Sequence, residues 1–132
     1  MRRIWVLLSL ALAIGCTTTP NPFSGAISCQ PYGYTPAPVA FSFPPGPVTS
    51  AAAEQTAVAL IRTCQDDGAT ILDLTSSPES ATGQPSGPNG GQPVWRVRVD
   101  ATIRDPSGAG YQSHWWIEVN QATGIPTLVA YG

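Results

Sequence analysis

The chain's single histidine, His114, stands in "QSHWWIEVNQATGIP", beside two tryptophans and Glu118, with Asp100 a short distance upstream. An imidazole beside a carboxylate is the smallest general-base pair, and with further ligands it begins a metal site. Cys16, Cys29 and Cys64 are the other reactive side chains. A catalytic dyad also needs a nucleophile and an oxyanion site near the histidine. Ser113 falls on the opposite side of the local alternation, and no nucleophile-elbow pattern occurs. One histidine leaves a catalytic cysteine little choice of base. Asp66–Asp67 lacks EF-hand spacing and reads as a solvated helix end. The expectation is therefore no catalytic residue, no metal and no cofactor. The alternative is a small enzyme or metal binder that uses His114 and Asp100.

Two alternating segments must position these residues. In "VWRVRVDATIR", 94–104, Trp95, Val97, Val99, Ala101 and Ile103 face one way, and Arg96, Arg98, Asp100, Thr102 and Arg104 the other. In "YQSHWWIEVN", Ser113, Trp115, Ile117 and Val119 oppose Gln112, His114, Trp116, Glu118 and Asn120. A period of two marks half-buried strands. "DPSGAG" between them has turn chemistry, so they form a hairpin. Two registers keep the apolar faces together. The favoured one pairs Asp100 with His114, Arg98 with Trp116 and Arg96 with Glu118, and the other slips by two so that Arg98 meets Glu118. The first places a carboxylate–imidazole pair, a cation–π contact and an ion pair on one face. Exposed pairs of this kind contribute about 0.2–1 kcal/mol each, so they set register more than stability. Arg96, Arg98, His114, Trp116 and Glu118 then read as a protein-interaction surface, since Trp and Arg dominate such sites. The alternative is that the chain's own N-terminal segment or long loop covers Trp116.

"SAAAEQTAVALIRTCQDDG" reads as a helix capped by Thr49 or Ser50 and stopped at Gly68. Ala53, Ala57, Leu60, Ile61 and Cys64 form its buried stripe. "ATILDLT" reads as a strand with Leu72 and Leu74 on one face and Asp73 on the other. Residues 76–93 are Ser, Gly, Pro and polar groups with one charge, Glu79, which predicts a flexible loop. "NQATG" marks another turn, and "IPTLVAYG" a last strand whose Pro126 suggests an edge.

The first residues, "MRRIWVLLSLALAIGCTTTP", begin with Arg2 and Arg3 and continue in an apolar run too short for a membrane span. "AIGC" resembles the end of a bacterial lipoprotein signal, with Gly15 and Cys16 matching and Ala13 and Ile14 standing where Leu and a small residue are usual. The resemblance implies cleavage before Cys16 and a lipid anchor on it, with the protein facing the extracytoplasmic side of a membrane in the cell envelope. Plain secretion is the alternative. Beyond Cys16, four arginines against eight carboxylates leave a side-chain charge of −4, with no lysine. Such a surface excludes nucleic acid and electrostatic membrane binding. Outside the cytoplasm Cys29 and Cys64 are expected to pair, and the 35-position loop they close is worth about 3–4 kcal/mol in the chain-entropy model. The alternative is two free thiols. Residues 16–47, uncharged and rich in proline, read as a lipidated cysteine and a stiff tether, though "VAFSF" is apolar enough to lie against the domain.

From about 48 to 131, the Ala-rich helix, the strands like "VWRVRV" and "HWWIEV", and the turn "WIEVNQATGIP" resemble the PepSY domain. Ile117, Val119, Thr123, Gly124 and Ile125 match its last turn, and Asn120 stands where Asp is usual. The resemblance implies a non-catalytic domain that restrains peptidases or contacts other envelope proteins; a purely structural lipoprotein is the remaining alternative. The expected fold is α+β: one N-terminal helix packed on a small antiparallel sheet of three to four strands, PepSY/cystatin-like. Residues 1–15 are then the signal, 16–47 the tether and 48–132 the domain.

Overall fold

The computed structural model describes residues 23–65 and 68–132. The signal segment, Cys16 and Asp66–Asp67 lie outside the described residues. The chain opens with a hairpin, β1 (Phe23–Ser28) and β2 (Pro38–Phe43), that forms a two-stranded antiparallel sheet of its own. The helix α1 (Ser50–Cys64) follows. Four strands, β3 (Thr70–Thr82), β4 (Pro93–Arg104), β5 (Gly110–Asn120) and β6 (Pro126–Tyr131), make an antiparallel sheet in chain order. The helix and the first hairpin together cover the apolar face of this sheet. Phe41, Phe43, Leu60, Ile61, Val97 and Ile117 meet in the core. Each such side chain, fully buried, contributes about 1.5–3 kcal/mol.

This corrects the expected fold. The chain is mostly strand, and its helix is not N-terminal on a single small sheet, because a second sheet precedes it. Most of the supposed 16–47 tether is this hairpin. The reason is readable locally: Val39, Phe41 and Phe43 alternate, Phe41 and Phe43 are buried, and Pro38 and Pro44 bound the strand rather than interrupt it. Ser28 Oγ accepts from the N–H groups of Gln30 and Ala37 and closes the hairpin loop. A disulfide joins Cys29, just beyond β1, to Cys64, the last residue of α1.

Two boundaries and one facing also differ. The helix ends at Cys64 rather than at Gly68, with Thr49 as its N-cap accepting from the Ala52 N–H. A bulge between Ile71 and Asp73 turns Leu72 outward to 48% exposure, so it does not share a face with Leu74. Finally, β3 runs on to Thr82, through the first seven residues of the supposed 76–93 loop. Its Ser and Thr residues bury little, but β4 offers a twelve-residue ladder in which their backbone groups are paired. Pro78 is tolerated because β3 is an edge strand. Pro126 likewise opens β6, the other edge, as expected.

Candidate functional site

The sheet face turned away from the helix is built in rows across β3, β4 and β5. Thr75, Asp100 and His114 form one row, and Ser77, Arg98 and Trp116 the next. Glu79, Arg96 and Glu118 follow, and then Ala81, Val94 and Asn120. The β4–β5 register is the favoured one, with Asp100 opposite His114, Arg98 opposite Trp116 and Arg96 opposite Glu118.

In the first row His114 Nδ1 bonds Asp100 Oδ1, both side chains about one-third exposed. Arg98 Nε donates to the same carboxylate at 3.0 Å. Partial burial pushes the Asp100 carboxyl up, but the bonds and charges of His114 and Arg98 outweigh it and hold the group below its ordinary range. Asp73, Thr75, Thr102 and Gln112 surround the pair in a depression of about 160 Å³. In the second row the Arg98 guanidinium lies 5.4 Å from the Trp116 ring centroid, and the His114 ring is 6.5 Å from it. Trp116 is half-buried.

In the other two rows the β5 side chains are covered, while Glu79 and Arg96 stay at the surface. Glu118 is only 1% exposed, and Asn120 5%. The sequence reading placed Glu118 on an open interaction surface; the segment after β3 covers it instead. Gln84 N–H donates to Glu118 Oε2 at 3.3 Å, and Arg96 Nη2 reaches the same oxygen at 3.5 Å. Arg96 also faces Glu79 at 3.8 Å. Asn120 Nδ2 donates to Asn89 Oδ1 at 3.1 Å and to Gln92 Oε1 at 2.6 Å. Tyr32, from the loop after β1, donates its hydroxyl to Gln84 Oε1 at 2.5 Å and fastens the covering segment from its far side. Gly83 is required there, since a Cβ on it would stand 1.9 Å from the Asn89 carbonyl oxygen. Asn89 Nδ2 is buried without a hydrogen-bond partner and is the weak point of the seal.

Asn120 also caps the β5–β6 turn. Oδ1 accepts from the N–H groups of Ala122 at 2.9 Å and Thr123 at 3.1 Å. Gly124 then takes φ +77°.

The structure thus brings Arg96, Arg98, His114 and Trp116 onto one surface together with Asp100. It buries Glu118 beneath that surface and joins Cys29 to Cys64 elsewhere. Ser113 bonds the Gly132 carbonyl oxygen, away from His114. Among the described residues no group of three or more His, Cys, Asp or Glu side chains could hold a metal ion. Sequence reasoning missed Gln84, Asn89 and Gln92, and the contribution of Asp73 and Thr75. The turn signals at Gly83, Pro85 and Asn89–Gly90 were visible, but nothing in a turn signal says where the loop folds.

No protein-family model, curated protein or solved structure matches this chain. No described helix is long and apolar enough to cross a membrane.

Proposed function

We propose that this is a lipid-anchored, non-catalytic cell-envelope protein that binds a protein partner, such as a peptidase it restrains, through the open half of its outer sheet face. One observation carries the reading. Arg98, Trp116, His114 and Asp100 form a semi-exposed cluster on paired strands, while Glu118 and Asn120 farther along β5 are covered by the protein's own loop. Trp and Arg held in place by neighbours lose little side-chain entropy on binding, which suits a contact centre. The anchor rests on "AIGC" and the apolar run before it. A PepSY relationship rests on the Val119–Ile125 turn.

The test is crosslinking in native membranes from a photoreactive residue at Gln112. Capture of a defined protein that Trp116→Ala and Arg98→Ala abolish supports the surface. Capture unchanged in both variants removes it. Mass spectrometry of the mature N-terminal peptide tests the anchor, and an unmodified Cys16 refutes it. The Asp100–His114 contact keeps an enzymatic second reading in view. A hydrolytic activity lost in His114→Ala while partner capture persists would favour it.

A further inference from the structure

The described chain begins at Phe23, and the fold gathers an uncharged end around that point. Phe23 pairs with Phe43. Just beyond, Gly46 N–H donates to the Thr123 carbonyl and Val48 N–H to the Gln121 carbonyl, both at 3.0 Å. A Cβ on Gly46 would stand 2.0 Å from the Ala122 carbonyl oxygen, so the two segments touch backbone to backbone. Gln121 N–H donates in turn to the Pro93 carbonyl, and its side chain donates to Ser80 Oγ. Asn120 holds Asn89 and Gln92. The start of β1, the 44–48 connection, the start of α1, the 83–92 loop and the 120–125 turn therefore share one end of the molecule.

These pieces come from stretches that are alike in one respect. Residues 17–53, 80–95 and 119–132 contain no Asp, Glu, Lys, Arg or His. Every charged side chain after Cys16 falls within 54–79 or 96–118. Arg62 in the last turn of α1, and Arg104 and Asp105 at the far end of β4, mark the opposite pole. The 44–48, 83–92 and 120–125 segments at this end carry no charge, and Glu54 and Glu79 are the first charged side chains along α1 and β3 from it.

We propose that the uncharged end is a membrane-facing surface that rests against lipid headgroups, with the charged pole directed away. The inference depends on the lipid anchor at Cys16 proposed above. Between Cys16 and Phe23 lie only six residues. Seven Cα steps span at most about 25 Å, so the anchor tethers the molecule by this end. The remainder carries a side-chain charge of −4. An anionic headgroup layer repels that charge within a Debye length of about 8–10 Å and leaves the uncharged end free to settle. The row of Ala81, Val94 and Asn120 then lies toward the lipid, with Glu79, Arg96 and Glu118 one row farther out. The open rows around Trp116 and His114 lie farther out, where a partner approaches from the aqueous side. His114 is six positions up β5 from Asn120, about 20 Å at strand rise.

The experiment uses the full, lipidated protein in vesicles of phosphatidylcholine with phosphatidylglycerol, some lipids carrying a nitroxide at the headgroup. A fluorophore is placed through Ala122→Cys, Ser86→Cys or Ala109→Cys, one at a time, with the native disulfide intact. Quenching at least threefold stronger at 122 and 86 than at 109 is expected. Equal quenching at all three, or stronger quenching at 109, overturns the orientation. Two labels on separate segments guard against one substitution disturbing the fold. The same samples are floated and their N-terminal peptide is weighed. An unlipidated protein that does not float refutes the anchor, whereas a lipidated protein that floats with uniform quenching refutes the orientation alone.

Discussion

Glu118 and Asn120 lie under the 83–92 segment, whereas His114 and Trp116, on the same strand and the same face, stay open. Both pairs follow one alternation and look alike in sequence. The difference lies in what is laid over them. A polar loop with backbone and amide donors can satisfy a carboxylate and an asparagine at once, and so can bury them. Over Asp100, His114 and Trp116 the partners come from within the sheet itself, through Arg98. That half satisfies its own charges while staying half exposed. A sealed half stabilises, and an open half is available for contact.

The contrast is broken most severely at its hinge. Asn120→Ala removes two turn caps and two bonds to the covering loop. A loss of about 3 kcal/mol is expected in urea unfolding, since several buried polar groups lose their partner together. Gly83→Ala drives a Cβ into the Asn89 carbonyl and should lift the loop, costing about 2 kcal/mol and raising amide exchange at Gln84 and Gln92. A stability unchanged in both would mean that the seal contributes nothing. On the open half, Trp116→Ala should cost about 1 kcal/mol or less, because it removes a surface cation–π contact, while abolishing partner capture. A loss matching that of Asn120→Ala would make Trp116 a core residue and erase the contrast.

The smallest effect concerns pH. Asp100 titrates below its ordinary value in the fold, so its ionised form stabilises the folded state. That contribution is fully present above the unfolded carboxyl pKa of about 3.9 and is lost as pH falls through the lowered folded value. Asp100→Asn should therefore melt below the parent at pH 6 and converge with it near pH 2. Asp105, lowered chiefly by the Ser107 hydroxyl bond, adds acid sensitivity that this variant retains. Parallel melting curves at all pH values would show that the Asp100–His114 contact carries no ionic stabilisation.

Where a side chain's fate depends on near neighbours in the chain, the sequence is legible. Alternation in 94–104 and 112–120, with opposite charges available across the hairpin, determines register and face, and the helical stripe from Ala53 to Ile61 is buried as its spacing requires, with Cys64 half-buried at its end. Thr49 and Asn120 cap because capping is a contact within a few residues. The first hairpin was partly legible in Val39, Phe41 and Phe43, but the surrounding prolines suggested a tether. Burial of Phe41 and Phe43 against a helix and sheet formed later in the chain made it part of the fold.

What only the tertiary structure decided is long-range. Ser76 to Thr82 carry no apolar pattern and become strand because β4 lies beside them with backbone groups to pair. Glu118 is charged and sits on the polar side of an alternating strand, so composition alone exposes it. It is buried because Gln84 and Arg96 reach it from positions remote in sequence. The gathering of the uncharged 44–48, 83–92 and 120–125 segments at one end is likewise a property of the folded chain. Short-range rules assign a residue to a face, but what is laid over that face depends on contacts that close only when the whole molecule packs.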